Sequence, residues 1–454
     1  MQDFIFKKLG LWLVFTSLVV PALPQDGNPL QFLSDVSQSS RINPAFQNTS
    51  NKLIVGLPIL AGTTVNWESN FSISNLTTDN FTNDFYNTLN EPGNAFFAAH
   101  IPFFYLGFKN NSGTFSFSVS EKTIGEINFD NEIVNFIAQG LRPYYGKNED
   151  LGPLSFSSQY YREITLGYST QIIKNLQVGV RPKILFSKFY YGIEKAYYKV
   201  ETLAESEMLV INPKGNYTVS GPLKVVIDEE NETETIKPDI KPTDYFLNFR
   251  NMGAGIDLGL VYNPNKATEF AVSILDIGFT RLRHKTYNVE YTGSMHFKEK
   301  DLYQSSNPDE PDYWSPAEAL AAFSDSVPHI TTVNNLQNGL VTTLPLQVNV
   351  MLRYKLPNRL QMGISNHFTY YKSQSAGFLS GFIYYKPAQN FEVAGTLNFY
   401  NFKQMFPGIG ASYTGKSVQY FLTTNNFLEL VQPSSAKNLN LCFGVNFLFS
   451  TAEN

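Results

Sequence analysis

The chain has 454 residues and a formal net charge of −5 at pH 7. Nucleic-acid binding needs a basic face, so this charge gives no support for a nucleic-acid partner. The single cysteine, Cys442, excludes an internal disulfide bond. Aromatic residues make up 15% of the chain, which favours a membrane β-barrel, because such barrels carry aromatic girdles at both membrane interfaces.

The first 25 residues have the pattern of a secretory signal. Lys7 and Lys8 precede a mostly apolar run from 9 to 20, and residues 21–25 follow as a processing region. The apolar run is shorter than the roughly 20 residues that a membrane helix needs, and no later stretch reaches that length. We therefore expect residues 1–25 to be a signal peptide and the mature chain to be exported.

Strand patterns begin after a polar, aperiodic segment at 26–50. The first strand is predicted from Lys52 to Leu60, and a hairpin follows at 103–109 and 114–120. Successive side chains of a strand point to opposite faces, so alternation of apolar and polar residues gives each hairpin one apolar and one polar face. Further strands of this kind are predicted around the turns at 174–175 and 263–266, at 344–355 with 360–369, and at 379–385, 391–399, 408–413, 418–424 and 439–449.

Two segments have helical patterns instead. Asp130 to Gly140 begins with a capping Asp and ends with Gly, and Ser315 to Phe323 begins with a capping box and a proline at the first helical position. Both lie in long connections. We expect the connections at about 196–243 and 285–338 to be extracellular loops, because bacterial barrels keep short turns on the periplasmic side.

Together these patterns predict an all-β fold. Residues 51–454 are expected to form a transmembrane antiparallel β-barrel of about 14 strands, with roughly 12 to 16 as the range, surrounded by outer-membrane lipid. The expected location is the outer membrane of a Gram-negative bacterium, which the protein reaches by means of its signal peptide.

Several short motifs are shared with a known family. Arg41 to Phe46 followed by Lys52 to Pro58, and Gly255 to Tyr262 with Ser273 to Gly278, resemble an uncharacterised outer-membrane β-barrel family of Bacteroidota. The family is related in layout to long-chain fatty acid transporter-type barrels and to outer-membrane components of type IX secretion. The resemblance covers most of the mature chain in layout, although the motifs themselves are short.

The triplet Asn43-Pro44-Ala45 is similar to a motif in the N-terminal plug of the fatty acid transporter barrels, which have 14 strands. This resemblance implies that residues 26 to about 50 fold into the barrel as a plug or hatch, with the triplet near the barrel wall. The alternative is that Asn-Pro merely starts a turn. Substrate identity does not follow from the resemblance.

The polar face of the predicted strands carries ionisable residues that we expect to face the lumen. They are Glu163, Arg181, Lys183, Asp257, Arg353 and His367. In an open pore such groups set selectivity. In a closed barrel, opposite charges on neighbouring strands pair and fill the interior, and the mixture of both signs favours this second interpretation.

No enzyme chemistry is indicated. The five histidines are His100, His284, His296, His329 and His367, and none has the spacing of a zinc motif. No nucleophile elbow or phosphate loop occurs. The acidic run from Asp228 to Glu234 lacks the spacing of a calcium loop and is typical of a solvated loop tip. We predict no catalytic residue, no metal site and no cofactor.

Two functions remain open. In the first, the barrel passes small or hydrophobic molecules across the outer membrane, which predicts an apolar pocket near residues 41–60 and an opening. In the second, it is a non-conducting docking or scaffold barrel for a secretion, gliding or surface-assembly machine, which predicts a closed interior and ordered loops. The sequence slightly favours transport, with hydrophobic small molecules as partners and machine proteins as the alternative.

Overall fold

The structure is a computed structural model. It describes residues 29–46, 52–76, 91–139, 142–144, 146–203, 208–228, 233–240, 249–297, 331–372, 374–400 and 404–450. The predicted signal peptide at 1–25 and the predicted helix at 315–323 lie outside the described residues. Within these ranges, no helix is long and apolar enough to cross a bilayer.

Strands account for most of the described chain. They are β1 (Lys52–Ser69), β2 (Gly93–Asn110), β3 (Gly113–Phe129), β4 (Asn148–Ile173), β5 (Leu176–Leu203), β6 (Met208–Ser220), β7 (Leu223–Asp228), β8 (Thr233–Pro238), β9 (Met252–Tyr262), β10 (Thr268–Leu282), β11 (Thr286–Thr292), β12 (Met295–Phe297), β13 (Thr331–Asn335), β14 (Leu340–Thr343), β15 (Leu346–Lys355), β16 (Leu360–Tyr371), β17 (Gln374–Ala388), β18 (Phe391–Tyr400), β19 (Gln404–Thr414), β20 (Val418–Thr424) and β21 (Asn438–Ser450). The α-helices are α1 (Asn131–Gln139) and α2 (Phe427–Val431).

Antiparallel pairing closes the main sheet on itself. β1 pairs with β2 along one edge and with the last strand, β21, along the other. From β2 the pairing runs to β5, through β9 and β10 to β15, and on to β21, while β7 and β8 form a separate hairpin. The predicted all-β, closed antiparallel barrel is therefore confirmed.

The strand number is slightly higher than the predicted value of about 14. The barrel sheet contains 19 strand segments. β10, β11 and β12 continue one another across gaps of two or three residues, as do β14 and β15, and joining them leaves 16 strands, the upper limit of the predicted range. The surplus arises partly because β6 and β9 share one place beside β5, where β6 pairs with Tyr190 to Leu203 and β9 with Leu176 to Phe186.

Burial along the strands is the reverse of that in a water-soluble protein. On β16 the inner face carries Ser365 and His367, 4% and 3% exposed, whereas Ile364 on the outer face is 54% exposed. On β5, Lys183 is buried inside and Ile184 is exposed outside. A soluble protein buries its large aliphatic side chains and exposes its charges. This barrel has a polar interior and an apolar outer surface.

The two ends of the barrel differ in their connections. Short turns at 111–112, 174–175, 263–267, 356–359, 389–390 and 415–417 lie at one end, here called the short-turn end. The opposite, long-connection end carries α1, α2 and the β7–β8 hairpin. Outward aromatic side chains form a girdle near the short-turn end, among them Tyr354, Tyr385, Phe391 and Tyr413, which are 39–48% exposed.

Within the described residues, the connections at the long-connection end contain more strand than irregular chain. β5, β6, β11, β12 and β13 extend into the predicted loops at 196–243 and 285–338 and raise the wall on this side of the barrel. The predicted helix at 130–140 is α1, and the Asp130 carboxylate caps it by accepting a hydrogen bond from the Glu132 amide at 3.1 Å.

The seam between the first and last strands is irregular near the short-turn end. The register of β1 with β21 shifts between Gly56 and Ala61, and its register with β2 shifts between Gly56 and Thr64. Pro58 has no amide hydrogen to donate, and Ile59 has a left-handed φ of 69°. Regular pairing is thus lost in the middle of β1, just after Gly56.

Candidate functional site

Residues 29–46 form an N-terminal segment inside the barrel. It contains two short 3-10 helices, Pro29–Phe32 and Ser37–Arg41. Its hydrogen bonds reach strands all around the ring, including β2, β5, β9, β10, β15, β16, β18, β20 and β21. Phe32 is fully buried and stacks on the inward ring of Phe382 at 3.9 Å between centroids. A segment bonded to the wall on every side lies within the lumen.

The Asn43-Pro44-Ala45 triplet lies directly against the inner wall. Asn43 Nδ2 donates to the carbonyl oxygens of Leu260 and Val272, at 3.3 and 3.2 Å, and Asn43 Oδ1 accepts from the Ala45 amide at 2.9 Å. The triplet thus bridges β9 and β10. The Asn-Pro sequence does start a turn here, and the same side chain also joins that turn to the wall.

Two glycines make this close approach possible. Gly179 of β5 and Gly259 of β9 are direct register partners. A Cβ atom at Gly179 would lie 2.2 Å from the Pro44 carbonyl oxygen, and one at Gly259 would lie 2.2 Å from Asn43 Oδ1. Both separations are far inside van der Waals contact, so only glycine fits beneath the triplet.

A second set of contacts surrounds the Ile42 carbonyl oxygen. It accepts hydrogen bonds from Ser273 Oγ at 2.6 Å and Asn349 Nδ2 at 3.3 Å. His367 Nδ1 donates to Asn349 Oδ1, and His367 Nε2 lies 3.0 Å from Thr369 Oγ1. His367, expected to face the lumen, therefore orients an amide that holds the N-terminal segment.

Two of the predicted lumen arginines also bind the segment. Arg181 donates to the carbonyl oxygens of Ser40 and Arg41 at 3.1 and 2.9 Å, and its Nε atom donates to Asp257 Oδ2 at 2.6 Å. Arg353 donates to the Gln31 carbonyl oxygen at 3.1 Å. Each guanidinium satisfies backbone acceptors of the segment, as its fork of donors allows.

The remaining predicted residues meet in a compact cluster of charges. Lys183 Nζ lies 2.5 Å from Asp276 Oδ1, 2.8 Å from Asp257 Oδ1 and 3.5 Å from Glu163 Oε2. Lys122 Nζ lies 2.9 Å from Glu163 Oε2. The cluster, here called the ion network, consists of Lys122, Glu163, Arg181, Lys183, Asp257 and Asp276. Its three positive and three negative charges cancel, as buried charges require.

A cavity lies between the ion network and the N-terminal segment. Its volume is about 70 Å³. A water molecule needs roughly 10–15 Å³ by this measure, so the cavity has room for several waters. The segment contributes Leu30, Arg41 and Ile42, and the wall contributes His100 and members of the ion network. The transport hypothesis predicted an apolar pocket near residues 41–60. This cavity is instead lined largely by polar and charged side chains.

Sequence reasoning missed two members of the ion network. Lys122 continues the inward series of Ser116, Ser118 and Ser120 by one step, so a longer strand prediction would have found it. Asp276 lies within the register shift between Ile274 and Ile277 of β10 and has a φ of 57°. Simple alternation places that residue on the outer face, and only the bulge turns it inward.

Other predicted features are outside the site or absent from the described ranges. Part of the acidic run at 228–234 and all of His329 lie outside the described residues. Among the residues that the structure places, no group of three His, Cys, Asp or Glu side chains is arranged to hold a metal ion. The absence of catalysis stays a prediction.

Residues 44–425 match the protein family described as a family of unknown function, DUF5723. The chain belongs to this family. The match extends from Pro44 to just beyond the end of β20, so it covers most of the barrel wall around the site, while residues 29–43 of the N-terminal segment lie outside it. No protein of curated function matches the sequence. An origin in Bacteroidota stays a prediction.

Several solved structures are similar to this chain over most of its length, at low sequence identity. The Ralstonia pickettii toluene transporter TbuX is 9% identical with a TM-score of 0.44, and 91% of this chain and 94% of that chain are covered. A FadL homologue of Pseudomonas aeruginosa is 10% identical with a TM-score of 0.38, covering 90% and 91%. The Pseudomonas putida toluene transporter TodX is 7% identical with a TM-score of 0.38, covering 94% of each chain. At this distance, function has to be argued from this chain's own residues.

Proposed function

We propose that this protein is a Gram-negative outer-membrane barrel that passes small or hydrophobic molecules, with the N-terminal segment as its plug. The observation that carries the membrane assignment is the reversed burial of the closed sheet. In a bilayer every backbone polar group must be paired internally, and a closed barrel with an apolar exterior meets that condition. The predicted signal peptide at 1–25 supports export, and the long-connection end would face the outside.

The plug role is supported by how the segment is attached. Backbone and side-chain hydrogen bonds join it to the wall at the Asn43-Pro44-Ala45 triplet, at Arg181 and at Arg353. No sheet pairing joins the described part of the segment to the barrel wall, and residues 47–51 connect it along the chain to β1. The segment can therefore move out of the lumen on this connection while the wall stays closed. The ion network would then line the passage and set its selectivity.

Conductance of purified protein in planar bilayers tests this role. Asn43→Ala removes both bonds to the β9 and β10 carbonyl oxygens, so we expect larger and more frequent openings than in the parent protein. Asn338→Ala is the matched control, because Asn338 is an exposed turn residue outside the N-terminal segment. Equal conductance of both variants and the parent would contradict the plug role. Failure to fractionate with the outer membrane would contradict the location.

The docking alternative is favoured by one observation, the filled lumen. The ion network closes the passage with paired charges, and the cavity beside it holds only about 70 Å³. If no conductance appears even when residues 29–46 are deleted, the barrel is a scaffold. In that event, extraction in mild detergent should recover a stable complex with a secretion or surface-machine protein.

A further inference from the structure

Basic side chains interrupt the apolar outer face on one side of the barrel. Arg162 of β4 directly precedes Glu163, which lines the lumen cavity, so Arg162 points outward. Arg281 of β10 follows Thr280, which is buried inside and bonded to Gln159, so it also points outward. Arg283 lies just beyond the end of β10 and is exposed.

Strand pairing places these residues next to one another along the wall from β4 to β10. Arg162 of β4 pairs with Phe186 of β5, and Phe186 pairs with Met252 of β9. The next residue of β9, Gly253, pairs with Thr280 of β10, which directly precedes Arg281. Lys188, two residues above Phe186, lies 3.1 Å from the Glu121 carboxylate that Arg162 also contacts. With strands about 4.8 Å apart, the row spans roughly 15 Å from β4 to β10.

This row marks the upper limit of the apolar band. Between it and the short turns, the outward positions of the same strands carry exposed Leu166, Ile184, Leu258 and Phe279. A barrel strand crosses the hydrocarbon in about 9–11 residues, and Arg162 lies about that far from the turn at 174–175. The row is therefore at the level of the lipid headgroups on the long-connection side.

Positive charge exceeds negative charge in the row. Glu121 is shared by Arg162 and Lys188. Neither Arg281 nor Arg283 has an acidic partner within the part of the chain that the structure describes, and the Arg281 Nε atom is buried there without an acceptor. Arg250 adds a further exposed guanidinium, 3.3 Å from His284.

The opposite side of the barrel has no counterpart. The described outward positions of β16 and of β18 to β21 are apolar or uncharged, as Ile364, Leu397, Ile409 and Leu422 illustrate. Positive charge scattered for solubility would appear on both sides. Concentration on the neighbouring strands from β4 to β10 indicates a ligand of opposite charge at that place.

We infer that Arg162, Arg250, Arg281 and Arg283, together called the basic belt, bind phosphate groups of a phosphorylated glycolipid in the outer leaflet. The inference rests on the proposed outer-membrane location. Guanidinium forks match phosphate geometry, and clustered basic residues at a membrane surface attract anionic headgroups. Tyr160 under Lys188 and the exposed Phe249 supply the aromatic contacts typical of this depth.

Native mass spectrometry of the delipidated full-length protein in detergent tests the basic belt. The probes are a bisphosphorylated lipid A and the same glycolipid with both phosphates removed. We expect the parent protein to prefer the phosphorylated form, and the double variant Arg281→Gln/Arg283→Gln to bind it about tenfold more weakly or worse, since two charge-assisted contacts are lost. The matched control, Lys224→Gln/Lys237→Gln, removes the same charge from the β7–β8 hairpin and should bind like the parent.

Three outcomes would overturn the inference. They are equal binding of both glycolipids, equal loss in the control variant, and displacement of the glycolipid by an equal concentration of inorganic phosphate. Because the measurement is made in detergent, it does not depend on cellular location. Fractionation of the same variants separates the two questions. If the barrel is correctly inserted but shows no preference for the phosphorylated glycolipid, only the inference about the basic belt is contradicted. If the protein is absent from the outer membrane, the proposed function is contradicted.

Discussion

Gly259→Ala is the sharpest test of how the N-terminal segment is held. The new methyl group would lie 2.2 Å from Asn43 Oδ1 and 2.7 Å from the Ala45 amide nitrogen. The wall strand cannot retreat, because Gly259 is paired on both sides, with Gly179 and with Ser273. The triplet must therefore move away from the wall.

The cost follows from the bonds that this movement breaks. Asn43 Nδ2 loses two backbone acceptors on β9 and β10, and each such hydrogen bond contributes about 1 kcal/mol net. A loss of about 2 kcal/mol, at about 1.4 kcal/mol per factor of ten, raises the population of undocked segment roughly 30-fold.

The chain carries its own reporter for undocking. Cys442 is the single cysteine, is fully buried, and belongs to the core that includes Leu30 and Phe32 of the segment. A membrane-permeant maleimide should label Cys442 roughly 30-fold faster in Gly259→Ala than in the parent, in proportion to the open population. Gly395→Ala is the control, because a Cβ atom there meets nothing within 4 Å.

Labelling rates that agree within about threefold among all three proteins would refute this reasoning. So would equal acceleration by Gly395→Ala, since that result would mean that any added methyl group loosens the barrel. A faster rate in Gly259→Ala alone, with unchanged heat-modifiable migration, would show that the segment moves while the wall stays intact.

Other substitutions probe the ion network and α2. Lys183→Met leaves buried carboxylates uncompensated and should destabilise the barrel by about 3–5 kcal/mol. Lys199→Met removes one partner of an exposed pair and should change the stability of the barrel by less than about 1 kcal/mol. The midpoint temperatures of the thermal gel shift measure both effects. Arg181→Lys loses the fork that binds two segment carbonyl oxygens, so Cys442 labelling should accelerate several-fold. Burial raises the pKa of Glu429 above its ordinary value. The stabilisation of α2 by Glu429 should therefore be complete when the pH is below the ordinary pKa, and it should decline as the pH rises through the raised pKa. Proteolysis of the α2 connection should show this dependence in the parent and not in Glu429→Gln.

The strands of the barrel wall could be predicted because each strand and each turn is specified by residues that are close together in the sequence. Alternation along Leu346 to Lys355 and Leu360 to Thr369 states which residues face lipid, and each short turn states where the chain reverses. The number of strands was harder to predict, because 31 residues separate Ser220 of β6 from Met252 of β9 although both strands pair with β5. No local pattern shows that two separated strands share one place in a sheet.

The interior was predicted only in part. Glu163, Arg181, Lys183 and Asp257 were placed on the inner face by alternation, and the structure brings them together. Their partner Asp276 was not predicted to face the lumen, because a bulge reverses the alternation of inward and outward side chains within three residues. Contact between the segment and Gly179 depends on residues more than 130 positions apart, which no periodicity can reveal.

The irregular seam between β1 and β21 has a consequence for biogenesis. Its two strands lie at opposite ends of the sequence, so the ring can close only after the whole chain has been delivered, and a pairing of such long range forms slowly. Pro58 and Ile59 leave fewer ladder bonds at this junction than regular pairing would provide. We expect the junction to be the last contact made during insertion and the first to part on heating, which would make it the natural gate for an assembly machine.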